Sequence, residues 1–289
     1  MTKKSRIFPC LNYILFIFLA VVTLYPLWYV FMGSVVPYAS LLQSPFFVHP
    51  GRWSFAAYGQ IFENKMIMPA FGLSVWTTLA GMVYSLVLTV LGAYVLSVRG
   101  LPYKKVLFVF VLFPMLFSGG IIPMYITLNS LGLINNPLVY ILPAGINVFY
   151  LLVLKTSFQE IPPSLIEAAD IDGCGKLKLL FSVILPLSLP ALATVSLFYL
   201  VDKWSDLYSG IYYINSAKYH NIQVIIYNLM SATDNGANLQ PVDLGSGDVL
   251  LAEQVRFACV IIATVPMLCI YPFLQKYFVK GVMLGSVKE

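Results

Sequence analysis

Long stretches of this 289-residue chain carry no charge, and the charged residues come in short bursts between them. The widest gap is 106–154, 49 residues without an Asp, Glu, Lys or Arg, after which seven charges fall within the 24 residues from Lys155 to Lys178. A helix needs about 20 apolar residues to cross the hydrocarbon core of a bilayer. On that measure the apolar runs predict six transmembrane helices, at 11–36, 70–98, 106–128, 138–154, 187–212 and 257–276. The 106–154 tract is too long for one crossing, and its middle, "LNSLGLINNP", carries Gly and Asn-Asn-Pro turn chemistry, so it folds back as two. The opening "MTKKSRIFPCLNYILFIFLA" starts like a signal peptide, but its apolar run exceeds the usual length of roughly 7 to 15 residues and lacks a small-x-small cleavage site. It is expected to remain as the first helix. The expected fold class is therefore all-α, a polytopic membrane protein with residues 1–289 forming one transmembrane domain.

Composition agrees: 60% of residues are hydrophobic and 10% charged, against roughly 25% charged in soluble chains. The net charge of +5 does not point to nucleic acid, because the basic residues sit in clusters between apolar runs, as membrane topology requires. Six crossings put both termini on one side. Twelve of the 17 Lys and Arg residues fall on that side, four fall opposite, and Lys203 lies within the fifth run. Positive charge marks the cytoplasm, so both termini and the charged segment 155–186 are expected there. Two longer segments, 37–69 and 213–255, are expected outside; the second contains the Gly/Asn/Asp/Ser-rich loop "SATDNGANLQPVDLGSGD". Cys10, Cys174, Cys259 and Cys269 show neither CxxC spacing nor a neighbouring His, and His49 and His220 are far apart. No metal site, redox site or cofactor is expected.

The charged segment reads "EIPPSLIEAADIDGCGKLKLLFSVILPLSLP". Pro162 and Pro163 stop the preceding helix, and Ser164 followed by Glu167 is a capping-box pattern, in which each side chain bonds the other's backbone amide. A short helix is expected from there, ended by Gly173 and Gly175, which tolerate left-handed backbone. A second helix then runs from Lys176 until Pro186 and Pro190 bend it into the fifth span. Glu167 is divided between capping and an interface, with the cap as the expected role. The pair Gly175-Lys176 is not a phosphate loop, since Asp170 stands where the first Gly belongs and Leu177 where Ser or Thr belongs. Any ATP-driven work must come from another chain.

Glu167, Ala168, Ala169, Gly173, Leu185 and Pro186 fit the EAA-x3-G-x9-I-x-L-P loop of ATP-binding-cassette importer permeases, with Val183 in place of Ile. The chain resembles that family along most of its length. "FSGGIIPMYITLNSLGLINNPLVYILP" (117–143), "LPLSLPALATVSLFYLVDKW" (185–204) and "YPFLQKYFVKGVMLGSVKE" (271–289) look like carbohydrate permeases related to the second membrane subunit of the maltose importer. The branch it looks most similar to handles oligosaccharides and breakdown products of complex polysaccharides. The resemblance implies a type I importer permease fold and a coupling helix at Glu167, Ala168, Ala169, Asp172 and Gly173, backed by Leu185 and Pro186. It also implies a homologous second permease, two cytoplasmic ATPase subunits, an extracytoplasmic sugar-binding protein, and a place in the bacterial plasma membrane. Cys174 departs from the alanine common after "IDG" in sugar permeases, a small change, and residues 285–289 form a second ATPase contact by the same resemblance.

Candidates for the translocation path are Gly119, Gly120, Asp202, Trp204 and Asp206. Each has another reading. Gly119 and Gly120 equally suit close helix packing. Asp202 and Asp206, four apart, suit an ion pair with Lys203 as well as sugar contact. Trp204 suits an interfacial anchor as well as a stacking platform. Two rival functions are an intramembrane enzyme, for which no catalytic cluster is visible, and a stand-alone secondary transporter, for which no internal repeat is visible.

Overall fold

The computed structural model describes residues 4–37, 53–63, 65–234, 242–243, 249–250 and 252–285. These form helices α1 (Lys4–Val35), α2 (Ala56–Glu63), α3 (Ile67–Ser97), α4 (Lys104–Leu116), α5 (Ile121–Ser130) and α6 (Val148–Gln159). They continue as α7 (Pro163–Ile171), α8 (Lys176–Leu187), α9 (Leu189–Trp204), α10 (Tyr208–Tyr213), α11 (Ile222–Asp234) and α12 (Ala252–Gly285). Among the described residues, extended structure is confined to a two-residue antiparallel pair, Val242–Asp243 with Val249–Leu250. The fold is all-α.

The stretch Phe8–Val35 of α1 and the whole of α3 are each long and apolar enough to cross a membrane alone. Two further stretches are long and apolar enough only as bent helix pairs: α4 with α5 turns by 109°, and α8 with α9 by 87°. The third expected span, 106–128, is therefore divided, at 117–120. Gly119 and Gly120 belong to this break and not to a helix contact: Gly120 has φ +84° and a Cβ there would meet nothing within 4 Å. The fourth, 138–154, opens on a 3-10 turn, Pro137–Tyr140, and becomes α-helical only at Val148. Ala144 at φ +51° marks the irregular stretch between, and the Asn147 side chain accepts from the amides of Phe149 and Tyr150 to start α6. The fifth, 187–212, ends its main helix at Trp204 and resumes as α10. Most of the polar loop at 231–248 lies outside the described residues.

The chain divides into two compact units, residues 1–68 with 225–266, and residues 69–224 with 267–289. In the first, the end of α1 buries Met32, Val35 and Val36, while its earlier residues from Phe8 to Trp28 are largely exposed. Gln254 Nε2 donates to Val36 O at 2.6 Å, and the Phe257 ring lies so close to Gly33 that a Cβ would come within 2.5 Å of it. In the second unit the core joins Val90, Ala93 and Leu96 of α3 to Leu151, Leu154 and Phe158 of α6. Leu179, Leu180 and Ile184 of α8 and Val195 and Tyr199 of α9 complete it. A smaller cluster holds Leu128, Val139, Tyr140, Tyr213 and Ile214.

Candidate coupling segment and translocation face

Pro162 has φ −55° and ψ 130°, and Pro163 takes the first helical position, where a missing N–H costs nothing. Leu165 N donates to Pro162 O at 3.1 Å, so Ser164 is already inside the first turn. The capping box expected between Ser164 and Glu167 is not formed, and α7 starts without a side-chain cap. The two prolines moved the helix start one step ahead of the serine. Glu167 is thereby released from the expected role and stands exposed.

The far end of α7 closes in a Schellman motif. Cys174 N donates to Ala169 O at 2.9 Å and Gly173 N to Asp170 O at 3.1 Å, with Gly173 left-handed at φ +71°. Gly175, expected to share that freedom, is extended at φ −62° and ψ 155°. Lys176 then turns back on Asp170 with contacts of 2.9 and 3.1 Å to its two carboxylate oxygens. That hydrogen bond and the adjacent negative charge raise the Lys176 pKa. Tyr94, near the end of α3, donates its hydroxyl to Lys176 O at 3.0 Å. A cavity of about 270 Å³ separates α7 from the helices behind it, lined by Tyr94, Arg99, Phe158, Ile166, Glu167 and Lys176 among others.

The expected coupling residues fall into two sets. Ala169 and Leu185 pack against the core of the second unit. Glu167, Ala168, Asp172, Gly173 and Pro186 are exposed. Among the described residues α7 buries none of its own, and Ile171 at its tip is 86% exposed. Ile171 was legible only as part of "ADIDG", with nothing to separate it from a core isoleucine. After α7, the chain passes through a π-helical turn, Leu180–Ile184, before the bend at Ser188 that launches α9. The bend expected at Pro186 and Pro190 is present. Residues 286–289, most of the second expected contact, lie outside the described residues.

The charges at the end of α9 do not pair with one another. Lys203 Nζ donates to three backbone carbonyls, Tyr140 at 3.1 Å, Ile141 at 3.2 Å and Pro143 at 3.4 Å. Its stem lies along α3, where a Cβ on Gly81 would come within 3.1 Å of Lys203 Cδ. Asp202 Oδ2 accepts from Tyr150 OH at 2.6 Å. Asp206 lies past the end of α9, so it does not share a helical face with Asp202. Its Oδ1 accepts from Ser209 N at 3.1 Å and its carbonyl from Asn221 Nδ2 at 2.5 Å. Trp204 is 5% exposed and meets Phe71 edge-on at 5.9 Å, which makes it a core residue and not an interfacial anchor.

Sequence reading missed what these contacts serve. In a bilayer an irregular backbone must find its hydrogen bonds within the protein. Here α9 supplies them: Lys203 for the carbonyls of 140–143, and the buried Tyr199, whose hydroxyl accepts from Asn147 N at 2.9 Å and pairs with Thr89 Oγ1 at 2.6 Å. The signal was "PAGIN" at 143–147, a Pro and Gly inside an apolar run, which marks a broken span. Among the described residues no group of His, Cys, Asp or Glu is placed to hold a metal ion.

Residues 103–284, more than half of the chain and including the whole coupling segment and α9, match the family model described as "binding-protein-dependent transport system inner membrane component". The chain belongs to this family. It is a membrane transport component and not itself an enzyme. The polygalacturonan/rhamnogalacturonan transport system permease protein YtcP of Bacillus subtilis (strain 168) is 39% identical over 285 residues, covering 99% of both chains. Protein LplC of the same organism is 36% identical over 292 residues, covering 99% of this chain and 97% of that one. Among solved structures, a chain of a bacterial ABC transporter involved in the import of the acidic polysaccharide alginate superposes with a TM-score of 0.85. It is 28% identical, and the match covers 96% of this chain and 99% of that one.

Proposed function

We propose that this family member is a permease subunit of an ATP-binding-cassette importer for oligosaccharides, coupled to its ATPases through α7. The substrate class is supported by a relative named for polygalacturonan/rhamnogalacturonan transport and a solved structure involved in the import of the acidic polysaccharide alginate. Its partners are a second permease, two cytoplasmic ATPase subunits and an extracytoplasmic sugar-binding protein. Six crossings with both termini in the cytoplasm fit the distribution of Lys and Arg, with the bent pairs α4–α5 and α8–α9 each serving as one crossing.

One observation carries the coupling role: α7 is a short helix, closed at its far end by the Schellman motif, that presents Ile171, Leu165 and Glu167 to the outside. An apolar tip on an otherwise polar, exposed helix suits insertion into a cleft on another protein. Glu167, Ala168, Asp172 and Gly173 form the outer surface of that knob, while Ala169, Leu185 and the turn at Pro186 tie it to the membrane core. When ATP closes the ATPase dimer, force on α7 passes back along α6 and forward through α8 to α9. The bends at 117–120 and Ser188 allow the crossings to rock between inward-facing and outward-facing forms. The path candidates are then the α4–α5 break at Gly119 and Gly120 and the outer part of α9 at Asp202, with Trp204 and Asp206 supporting it from the core.

The test is purification of the tagged chain from its native host, followed by cysteine cross-linking from Ala168→Cys. An ATPase subunit should co-purify and be captured at this position. Recovery of a chain that transports sugar with no ATPase attached overturns the reading.

A further inference from the structure

The Tyr150–Asp202 pair serves no structural purpose comparable to that of its neighbours. Lys203 and Tyr199 satisfy backbone groups of the broken span, but Asp202 holds only a side chain, and it holds it at the surface. A carboxylate accepts at about four lone-pair positions, and Tyr150 fills one of them. Among the described residues no other hydrogen-bond partner of the Asp202 carboxylate is present, and the Lys203 ammonium bonds carbonyls elsewhere. An exposed carboxylate in a membrane crossing does not face lipid; it opens on water or protein.

Beside it lies an aromatic surface. Tyr150 and Phe198 are 5.3 Å apart with ring planes 34° apart, and Tyr199 braces Tyr150 from the core edge-on at 4.9 Å. Phe149, 53% exposed, extends the patch. A carboxylate and a phenol set against fixed aromatic faces are the chemistry that recognises a pyranose, whose hydroxyls donate to the one and whose C–H face lies on the other.

Resting on the importer reading above, we infer that Tyr150, Asp202 and Phe198 form a saccharide-contact site on this subunit, accepting hydrogen bonds from sugar hydroxyls and stacking one sugar ring. Position favours sugar over a subunit contact. Tyr150 is on α6 and Asp202 and Phe198 on α9, the two helices that enter and leave the coupling segment. A ligand bridging them touches both arms of the element that the ATPases move. Tyr150 is nine residues, roughly 14 Å, from the end of α6.

The test uses the assembled importer in proteoliposomes, with labelled oligogalacturonides and rhamnogalacturonan oligosaccharides as probes, reading sugar delivered per ATP hydrolysed. Wild-type transport of a probe establishes the importer reading on its own; failure there sinks that reading before the variants are compared. Asp202→Asn and Tyr150→Phe keep shape and remove the charge or the hydroxyl; each should lower sugar per ATP about ten-fold, the loss of one charge-assisted hydrogen bond. Phe198→Leu should do the same to a smaller degree. Binding-protein-stimulated ATP hydrolysis and subunit stoichiometry should stay within about two-fold of wild type, since futile cycling is the mark of a lost sugar contact and not of a damaged fold. Unchanged sugar per ATP in both polar variants overturns the inference, and loss of the second permease from the complex overturns it in favour of a subunit contact.

Discussion

Lys176 and Lys203 stand at opposite ends of the α8–α9 crossing and use the same ammonium group in opposite ways. Lys176 is exposed and rests on Asp170, a partner that water could replace. Lys203 is largely enclosed and rests on three carbonyls for which the described residues offer no other donor. At the first end the charge decorates an exposed short helix that is closed by a left-handed glycine. At the second the charge holds an irregular backbone together by bonding its carbonyls directly. A lysine in a membrane protein is thus read by what it bonds, and backbone carbonyls are a more demanding partner than a carboxylate in solvent.

Removing the half-buried charge of Lys203 should give the largest effect. Lys203→Met keeps most of the stem and leaves three carbonyls without their donor. A single buried polar group without a partner costs about 1–3 kcal/mol, so the loss should be at least at the upper end of that range. The purified variant should unfold at distinctly lower denaturant or temperature in detergent, with amides of 141–147 exchanging faster. Lys203→Arg should recover only part of this, because the close approach to Gly81 limits room for a wider head group. A Met variant as stable as wild type means that water reaches the carbonyls, and the contrast between the two ends disappears.

Next comes Gly173→Val, which should damage function more than stability. A β-branched residue at φ +71° carries strain of about 1–2 kcal/mol. No residue of the adjacent helix α7 is fully buried, so local rearrangement relieves that strain at modest cost to the core. Membrane insertion and thermal midpoint should stay near wild type while transport driven by ATP falls at least about ten-fold. Equal loss of folded protein and transport shows instead that Gly173 matters for folding.

These two regions also differ in how far the sequence revealed them. The helix and turn of the candidate coupling segment were legible because their signals are local: two prolines, a glycine at a helix end, and a motif of fixed spacing. Even there the start of α7 was misplaced, since a Pro-Pro pair and a Ser-x-x-Glu pair compete for one helix start and the prolines prevailed. The far end of α9 was legible only as an anomaly. Adjacent charges of opposite sign suggest a pair, but Lys203 found carbonyls some sixty positions earlier, and no period or spacing encodes that. The breaks in the third, fourth and fifth spans were written in Gly119–Gly120, "PAGIN" and the end of α9, yet average apolarity hid them, because a broken crossing is as greasy as an intact one.

A smaller change should follow Tyr94→Phe, which deletes only the hydroxyl that donates to Lys176 O at 3.0 Å. Net values for such bonds are about 0.5–1.5 kcal/mol, and solvent access places this one at the low end. Its readout is local: faster exchange of the amides that open α8, with the melting midpoint almost unmoved. If the midpoint falls as far as in Lys203→Met, the knob end is not the loosely attached element that the comparison requires.

The smallest effect belongs to Asp170→Asn. Lys176 is exposed, and its ion pair works against solvent screening and the entropy of a long side chain. The raised Lys176 pKa fixes the direction of any pH dependence. A lysine that gains a partner on folding contributes its full share below its unfolded pKa and loses it as pH rises through the folded one. The contribution should therefore be flat across neutral pH and fade only above the ordinary lysine value of 10.5. Unfolding midpoints of wild type and Asp170→Asn should coincide near pH 7, at low and high salt alike. A clear gap at pH 7 that closes with added salt would show that this pair helps hold α7 in place, and that exposure alone does not separate the two lysines.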